Sequence, residues 1–208
     1  MDMMNKTLSF TIIFLLLISF CYSVEDVLDR LKSRYLDIST FSADLVQTSY
    51  WFELQMKKSF YGQVYYNAEK FIIRYKKPLL QIVYTDPKKS YLYDSNSKQL
   101  LITDPHLDIK ISTILNKYVL DSPQLSLREN ESSYFISAPQ NKTWDDVQRV
   151  ELVVSKLNYS IVKIELYDSQ ENRTTYNYSN EKINKKIDEK VFYFTAPSGT
   201  TTTDAHSF

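Results

Sequence analysis

Over most of this chain apolar and polar residues alternate with a period of two, in short runs broken by turn-forming residues. From residue 60 to 103 the stretch FYGQVYYNAEKFIIRYKKPLLQIVYTDPKKSYLYDSNSKQLLIT reads as several short strands in succession. Phe71, Ile73 and Tyr75 share one strand face, and Leu80, Ile82 and Tyr84 form a second run of the same kind. Asp86-Pro87-Lys88-Lys89 and Asp94-Ser95-Asn96-Ser97 are turn sequences. Turns this close together mean antiparallel hairpins, because parallel neighbours need crossovers of about a dozen residues or more. A second meander follows, carried by Tyr134 and Ile136, then Val150, Leu152 and Val154, then Val162, Ile164 and Leu166. Tyr176 and Tyr178 continue it, Phe192 and Phe194 close the set, and residues from Thr200 onward read as a frayed tail.

Two segments switch to helical spacing. In residues 24–38, Val24, Val27, Leu28, Leu31, Tyr35 and Ile38 recur every three or four positions, leaving most charges off the stripe. Asp104-Pro105-His106 announces a second helix, with Asp as N-cap and Pro in the first turn. Its stripe is Leu107, Ile111, Ile114, Leu115 and Tyr118, and Ser122-Pro123 ends it. The expected fold is mainly β (α+β), with about ten or eleven strands and two helices.

The N-terminus has Lys6, an apolar run over residues 8–20, and small residues at Cys21 and Ser23 in the positions that precede a cleavage site. This is the layout of a secretory signal peptide, and the run is shorter than the roughly 20 residues of a membrane-spanning helix. Residues 1–23 are therefore expected to be cleaved, leaving residues 24–208 as a single exported domain. Cys21 is the only cysteine. Cleavage after Ser23 excludes disulfides and thiol ligands, whereas lipidation of Cys21 would make an anchored protein instead.

Lys plus Arg and Asp plus Glu number 25 each, so the net charge is near zero and a nucleic-acid partner is not expected. His106 reads as a surface residue at a helix start and His206 as tail. Neither is accompanied by a nucleophile, so no enzyme, metal site or cofactor is expected, and a lipid hydrolase lacks its catalytic set.

An antiparallel sheet with one wet face and one apolar face, made of this many strands, curls rather than staying flat. A curl lined by aromatic side chains and roofed by two modest helices suggests a container for something greasy. Period-two alternation nevertheless reports burial and not vacancy, so the same pattern suits an ordinary filled core.

Phe41 and Gln47, then Gly62, then residues 70–78 (KFIIRYKKP), residues 81–86 (QIVYTD) and residues 91–94 (YLYD) stand in an order that closely resembles the LolA family of bacterial periplasmic lipoprotein carriers. Residues 31–34 (LKSR) and 187–199 (IDEKVFYFTAPSG) fit the same series, so the resemblance covers nearly all of residues 24–208. It implies an incomplete, strongly curved antiparallel barrel with helices as a lid over an apolar cavity. It also implies a monomeric, non-enzymatic carrier in the periplasm of a Gram-negative envelope. Such a carrier takes acylated lipoproteins from an inner-membrane ABC-type release complex and delivers them to an outer-membrane acceptor. A lipid-anchored receptor or glycolipid binder of the same fold is the alternative. The expected acyl-binding wall is Phe71, Ile73, Tyr75, Leu80, Ile82, Tyr84, Val162, Ile164, Tyr176 and Tyr178, with Leu31, Tyr35 and Ile114 from the lids. The family's Arg-Pro pair after the Gly-containing strand is missing, and Asn67-Ala68-Glu69 stands there instead. Alternation turns the nearby Arg74 away from Phe71 and Ile73.

Overall fold

The computed structural model describes residues 23–105, 110–120, 122, 124–139 and 146–205. Residues 1–22, on which the expected signal peptide and Cys21 fall, as well as His106, Leu107, Pro123 and His206, lie outside the described residues.

Helix α1 (Val24–Tyr35) starts where local chemistry directs it. Ser23 is its N-cap and accepts from the Asp26 backbone N–H at 3.2 Å, while Asp26 returns a bond to the Ser23 N–H, a complete capping box. Acidic Glu25 and Asp26 occupy the first turn and basic Lys32 and Arg34 the last, matching the helix dipole. The helix stops short of Ile38, and Val27, Leu28, Leu31 and Tyr35 are its buried stripe.

Six strands follow: β1 (Thr40–Trp51), β2 (Met56–Asn67), β3 (Phe71–Lys77), β4 (Gln81–Thr85), β5 (Ser90–Asp94) and β6 (Gln99–Thr103). A short helix α2 (Ile111–Ile114) runs on as a π-helical segment, Leu115–Leu120. The second meander is β7 (Ser126–Glu129), β8 (Ser133–Pro139), β9 (Val147–Ser155), β10 (Ile161–Asp168) and β11 (Arg173–Ile183). A 3₁₀ turn at Glu189–Phe192 and a last strand, β12 (Thr201–Asp204), complete the described chain.

All twelve strands form one sheet in the order β12-β6-β5-β4-β3-β2-β1-β11-β10-β9-β8-β7. Every pairing is antiparallel except β12 beside β6, which is parallel. β12 and β7 are free edges, so the sheet is not closed.

Three expectations need correction. The tail from Thr200 is ordered in part, because Thr201–Asp204 pairs along β6 and gives a twelfth strand. Phe192 and Phe194 do not extend the sheet. Asp188 caps a 3₁₀ turn through the Lys190 N–H, and Phe192 lies buried against the sheet surface. Asp104 and Pro105 sit in a bend after β6, whose pairing with β5 extends to Thr103, and the described helix begins only at Ile111.

The sheet carries a core on each face. The larger gathers both helical segments onto the face shown by Phe41, Leu45, Val64, Phe71, Ile73, Ile164 and Leu152. The smaller lies on the opposite face of β3–β6, where Ile72, Ile82, Tyr93 and Leu100 are covered by Phe192 and, more loosely, by Ile187, Val191 and Phe194. β3 is therefore buried on both sides, which is why Phe71-Ile72-Ile73 is continuous in apolar residues rather than alternating.

Candidate functional site

The helix-covered face is the candidate site, and strand register decides who lies on it. β1 and β2 pair Phe41 with Tyr66, Ala43 with Val64 and Leu45 with Gly62. β3 adds Phe71, Ile73 and Tyr75 opposite Tyr66, Val64 and Gly62. On the other side of β1, Tyr178 stands opposite Leu45 and Tyr176 opposite Gln47, and Ile164 is the next residue across from Tyr176. Over this surface α1 lays its stripe, and residues 111–120 add Ile111, Ile114, Leu115 and Val119.

Nine of the expected wall residues meet here: Leu31, Tyr35, Phe71, Ile73, Tyr75, Ile114, Ile164, Tyr176 and Tyr178. The other four do not join them. Ile82 is buried in the core of the opposite face, with Tyr84 packed beside it. Tyr75 pairs with Gln81 and Ile73 with Val83, so the loop between β3 and β4 puts Val83, not Ile82, on the helix-covered face. Leu80 sits in that loop and is 41% exposed. Val162 falls at an irregularity in the β9–β10 pairing, between Ile161 and Lys163, and the inward place opposite Val154 goes to Ile161. Residue-by-residue reading missed Phe41, Leu45, Val64 and Tyr66, although the alternation of Phe41, Ala43 and Leu45 carried the signal.

Polar groups border this face and do not interrupt it. The Tyr75 hydroxyl donates to Gln47 Oε1, and past that pair the same strand faces present Ser49, Lys58 and Thr174. At the other end the Tyr35 hydroxyl donates to Glu181 Oε2 and accepts from the Ile161 N–H at 2.8 Å, while Arg34 pairs with Glu181. These bonds anchor α1 to β10 and β11. Lys110, just ahead of α2, reaches the Ala68 carbonyl at 3.4 Å, in the turn between β2 and β3. Burial pushes the Tyr176 hydroxyl up to about 12 and raises those of Tyr35, Tyr75 and Tyr178 as well, so all four are neutral.

Side chains pack closely over part of the space between sheet and helices. Val27, Leu31, Tyr35, Phe41, Leu115, Val119, Val150, Val154 and Ile164 are all 0% exposed, so no water-sized void touches them. Tyr75, Tyr176 and Tyr178 on the same face remain 4%, 7% and 9% exposed. A cleft of about 430 Å³ outside β2, β1 and β11 is bordered by Asp44, Gln63, Asn180 and Lys182. Another of about 400 Å³ lies beside Arg30, Arg34, Asn158, Tyr159 and Ile183. Among the described residues no group of three or more His, Cys, Asp or Glu could hold a metal ion.

The molecule is a twelve-stranded open sheet with helices packed on one apolar face. The family model for the outer membrane lipoprotein carrier protein LolA matches residues 37–195, and the chain belongs to that family. Its members are generally binding and carrier proteins. No curated protein matches the sequence. Among solved structures, an uncharacterized conserved protein from Thermus thermophilus superposes with a TM-score of 0.55 at 15% identity, covering 88% of this chain and 100% of that one. A LolA-superfamily protein from Nitrosomonas europaea gives 0.45 at 12% identity, covering 83% and 98%. MucB of Pseudomonas aeruginosa, solved in complex with MucA, gives 0.45 at 10% identity, covering 82% and 60%. At these identities the likeness is one of fold.

Proposed function

We propose that this protein is an exported, periplasmic carrier that shields the acyl chains of lipoproteins between sheet and helices. Cargo would come from an inner-membrane ABC-type release complex and pass to an outer-membrane acceptor. The observation that carries this reading is the continuous apolar face bearing Phe71, Ile73, Tyr75, Tyr176 and Tyr178, in a chain of the LolA family. The sheet is read as a strongly curved, incomplete barrel, and the structure as its closed, unloaded form.

Residues 111–120 are the segment we assign to opening, since α1 is tied through Arg34 and Tyr35 to Glu181. Lifting that segment re-exposes Ile111, Ile114, Leu115 and Val119, at roughly 1.5–3 kcal/mol for each side chain. An acyl chain of about 16 carbons returns roughly 12 kcal/mol on burial at about 0.8 kcal/mol per methylene. One chain thus about offsets opening, and the two or three chains of a lipoprotein drive it. A soluble acylated cargo is favoured over a single fatty acid on the same arithmetic.

A diacylated, dansyl-labelled lipopeptide titrated into the protein tests this. We expect saturable binding, a raised Tm with ligand in excess, loss of binding in Ile73→Glu and retention in Leu80→Glu, whose side chain is exposed in the β3–β4 loop. Absence of binding, or equal binding by a folded Ile73→Glu protein, would sink the reading.

A further inference from the structure

The β1–β2 hairpin ends in Trp51-Phe52-Glu53-Leu54-Gln55-Met56, followed at once by Lys57-Lys58. Trp51, Phe52, Leu54 and Met56 are 36%, 49%, 67% and 55% exposed. Such a concentration of large apolar side chains on water marks an interaction site rather than ordinary surface. The hairpin also reaches outward on one side. β3 pairs with β2 only as far as Tyr61, so residues 56–60 run past β3 by roughly 17 Å at the usual strand rise.

The tip is held in shape without burying any of the four side chains. Gln55 adopts φ 50° and donates from its backbone and side-chain nitrogens to the Phe52 carbonyl, at 3.2 and 2.6 Å. Its Oε1 accepts from the Tyr50 hydroxyl at 2.8 Å, and the Phe52 N–H donates to Asn172 Oδ1 at 2.9 Å, bracing the loop on the neighbouring β10–β11 turn. A braced loop presenting apolar groups loses little conformational entropy on docking.

We propose that this tip docks on a lipid surface carrying anionic headgroups. The order of residues matches the depth profile of a bilayer leaflet. Trp and Phe suit the interface and Leu and Met the acyl region, while the adjoining pair of exposed lysines stands at headgroup level. Shape points the same way. Trp51 and Met56 are a cross-strand pair on one face, Tyr50 and Lys57 occupy the other, and Phe52 and Leu54 lie in the turn between. The apolar groups therefore surround a convex tip, which a fluid leaflet can envelop and a one-sided protein groove cannot. Glu53, the one acid in the stretch, opposes this attraction. The docking stands whether or not the sheet face carries acyl chains.

The test uses the tryptophan already in place. In a Trp144→Phe background Trp51 is the sole tryptophan, so its emission reads the hairpin alone, regardless of the apolar N-terminus. Vesicles of phosphatidylcholine with about 30% phosphatidylglycerol should blue-shift Trp51, and brominated acyl chains should quench it. Lys57→Gln with Lys58→Gln should weaken the half-point about tenfold or more. Phe52→Ser with Leu54→Ser should abolish the shift, and Glu53→Gln should strengthen it. All these positions are exposed, and far-ultraviolet circular dichroism checks that the fold persists. Unshifted, unquenched Trp51 emission overturns the proposal. So does a response that ignores both lysines and headgroup charge, or one that appears only when an envelope protein is added.

Discussion

At Gly62 a single missing side chain holds two strands together. It stands at a bulge where the β2–β3 register slips between Tyr61 and Gly62. A Cβ added there would lie 2.2 Å from the Arg74 carbonyl oxygen and 2.8 Å from Tyr75 Cα. Both are backbone atoms and cannot swing aside, so the strands would have to part. We expect Gly62→Ala to cost about 2 kcal/mol or more in urea unfolding, as overpacking of a fixed core does. An unchanged midpoint would show that β3 yields freely. Nothing in the residues around Gly62 spells out this approach, which needs the partner strand to be known. Val162 and Ile161 make the same point, since plain alternation puts Val162 inward and the irregular pairing puts Ile161 there.

Among elements, the C-terminal strap owes its role to a distant contact. Arg74 leaves β3 on the face away from the helices and donates to the Val191 carbonyl at 2.8 Å and the Tyr193 carbonyl at 2.7 Å. It fastens residues 187–196 across Ile72, Ile82, Tyr93 and Leu100. Arg74→Ala should release that strap, and limited proteolysis should then cut at Lys190, with stability lower by about 1 kcal/mol, the net worth of ordinary hydrogen bonds at carbonyls that water can reach. Proteolysis that leaves Lys190 as protected as in wild type would contradict the clamp. α1, by contrast, was legible from its first residue and in its central stripe, which are local signals, although it ends at Tyr35 and not at Ile38. Its cap adds a condition on processing: cleavage after Ser23 would remove the capping side chain, a change worth about 1 kcal/mol.

Taken whole, the molecule stakes much of its stability on a dry interior furnished with tyrosines. In an unfolded chain these hydroxyls ionise near pH 10, whereas burial holds Tyr176 up to about 12 and Tyr35, Tyr75 and Tyr178 above their ordinary value. Between about pH 10 and about pH 12 the unfolded state sheds protons that the native state retains, so stability falls as pH rises. Tyr176 alone contributes on the order of 2–3 kcal/mol, present below pH 10 and lost through that window. Urea midpoints followed alongside tyrosinate absorbance should drop together there. Tyrosines that titrate fully near pH 10 with the fold intact would contradict a dry core.

Sheet content, antiparallel hairpins, both helical segments and most of one apolar face could be read from the chain, because alternation, helical spacing and turn residues act over a few neighbours. The side on which Ile82 falls, the parallel pairing of β12, and the strap over the second face rest on loop parity and on contacts more than a hundred residues apart, as between Arg74 and Val191. Whether the greasy face is hollow or filled was likewise beyond local pattern. Alternation states which side chains leave water, and only the volumes brought over them by α1 and residues 111–120 state what takes the water's place.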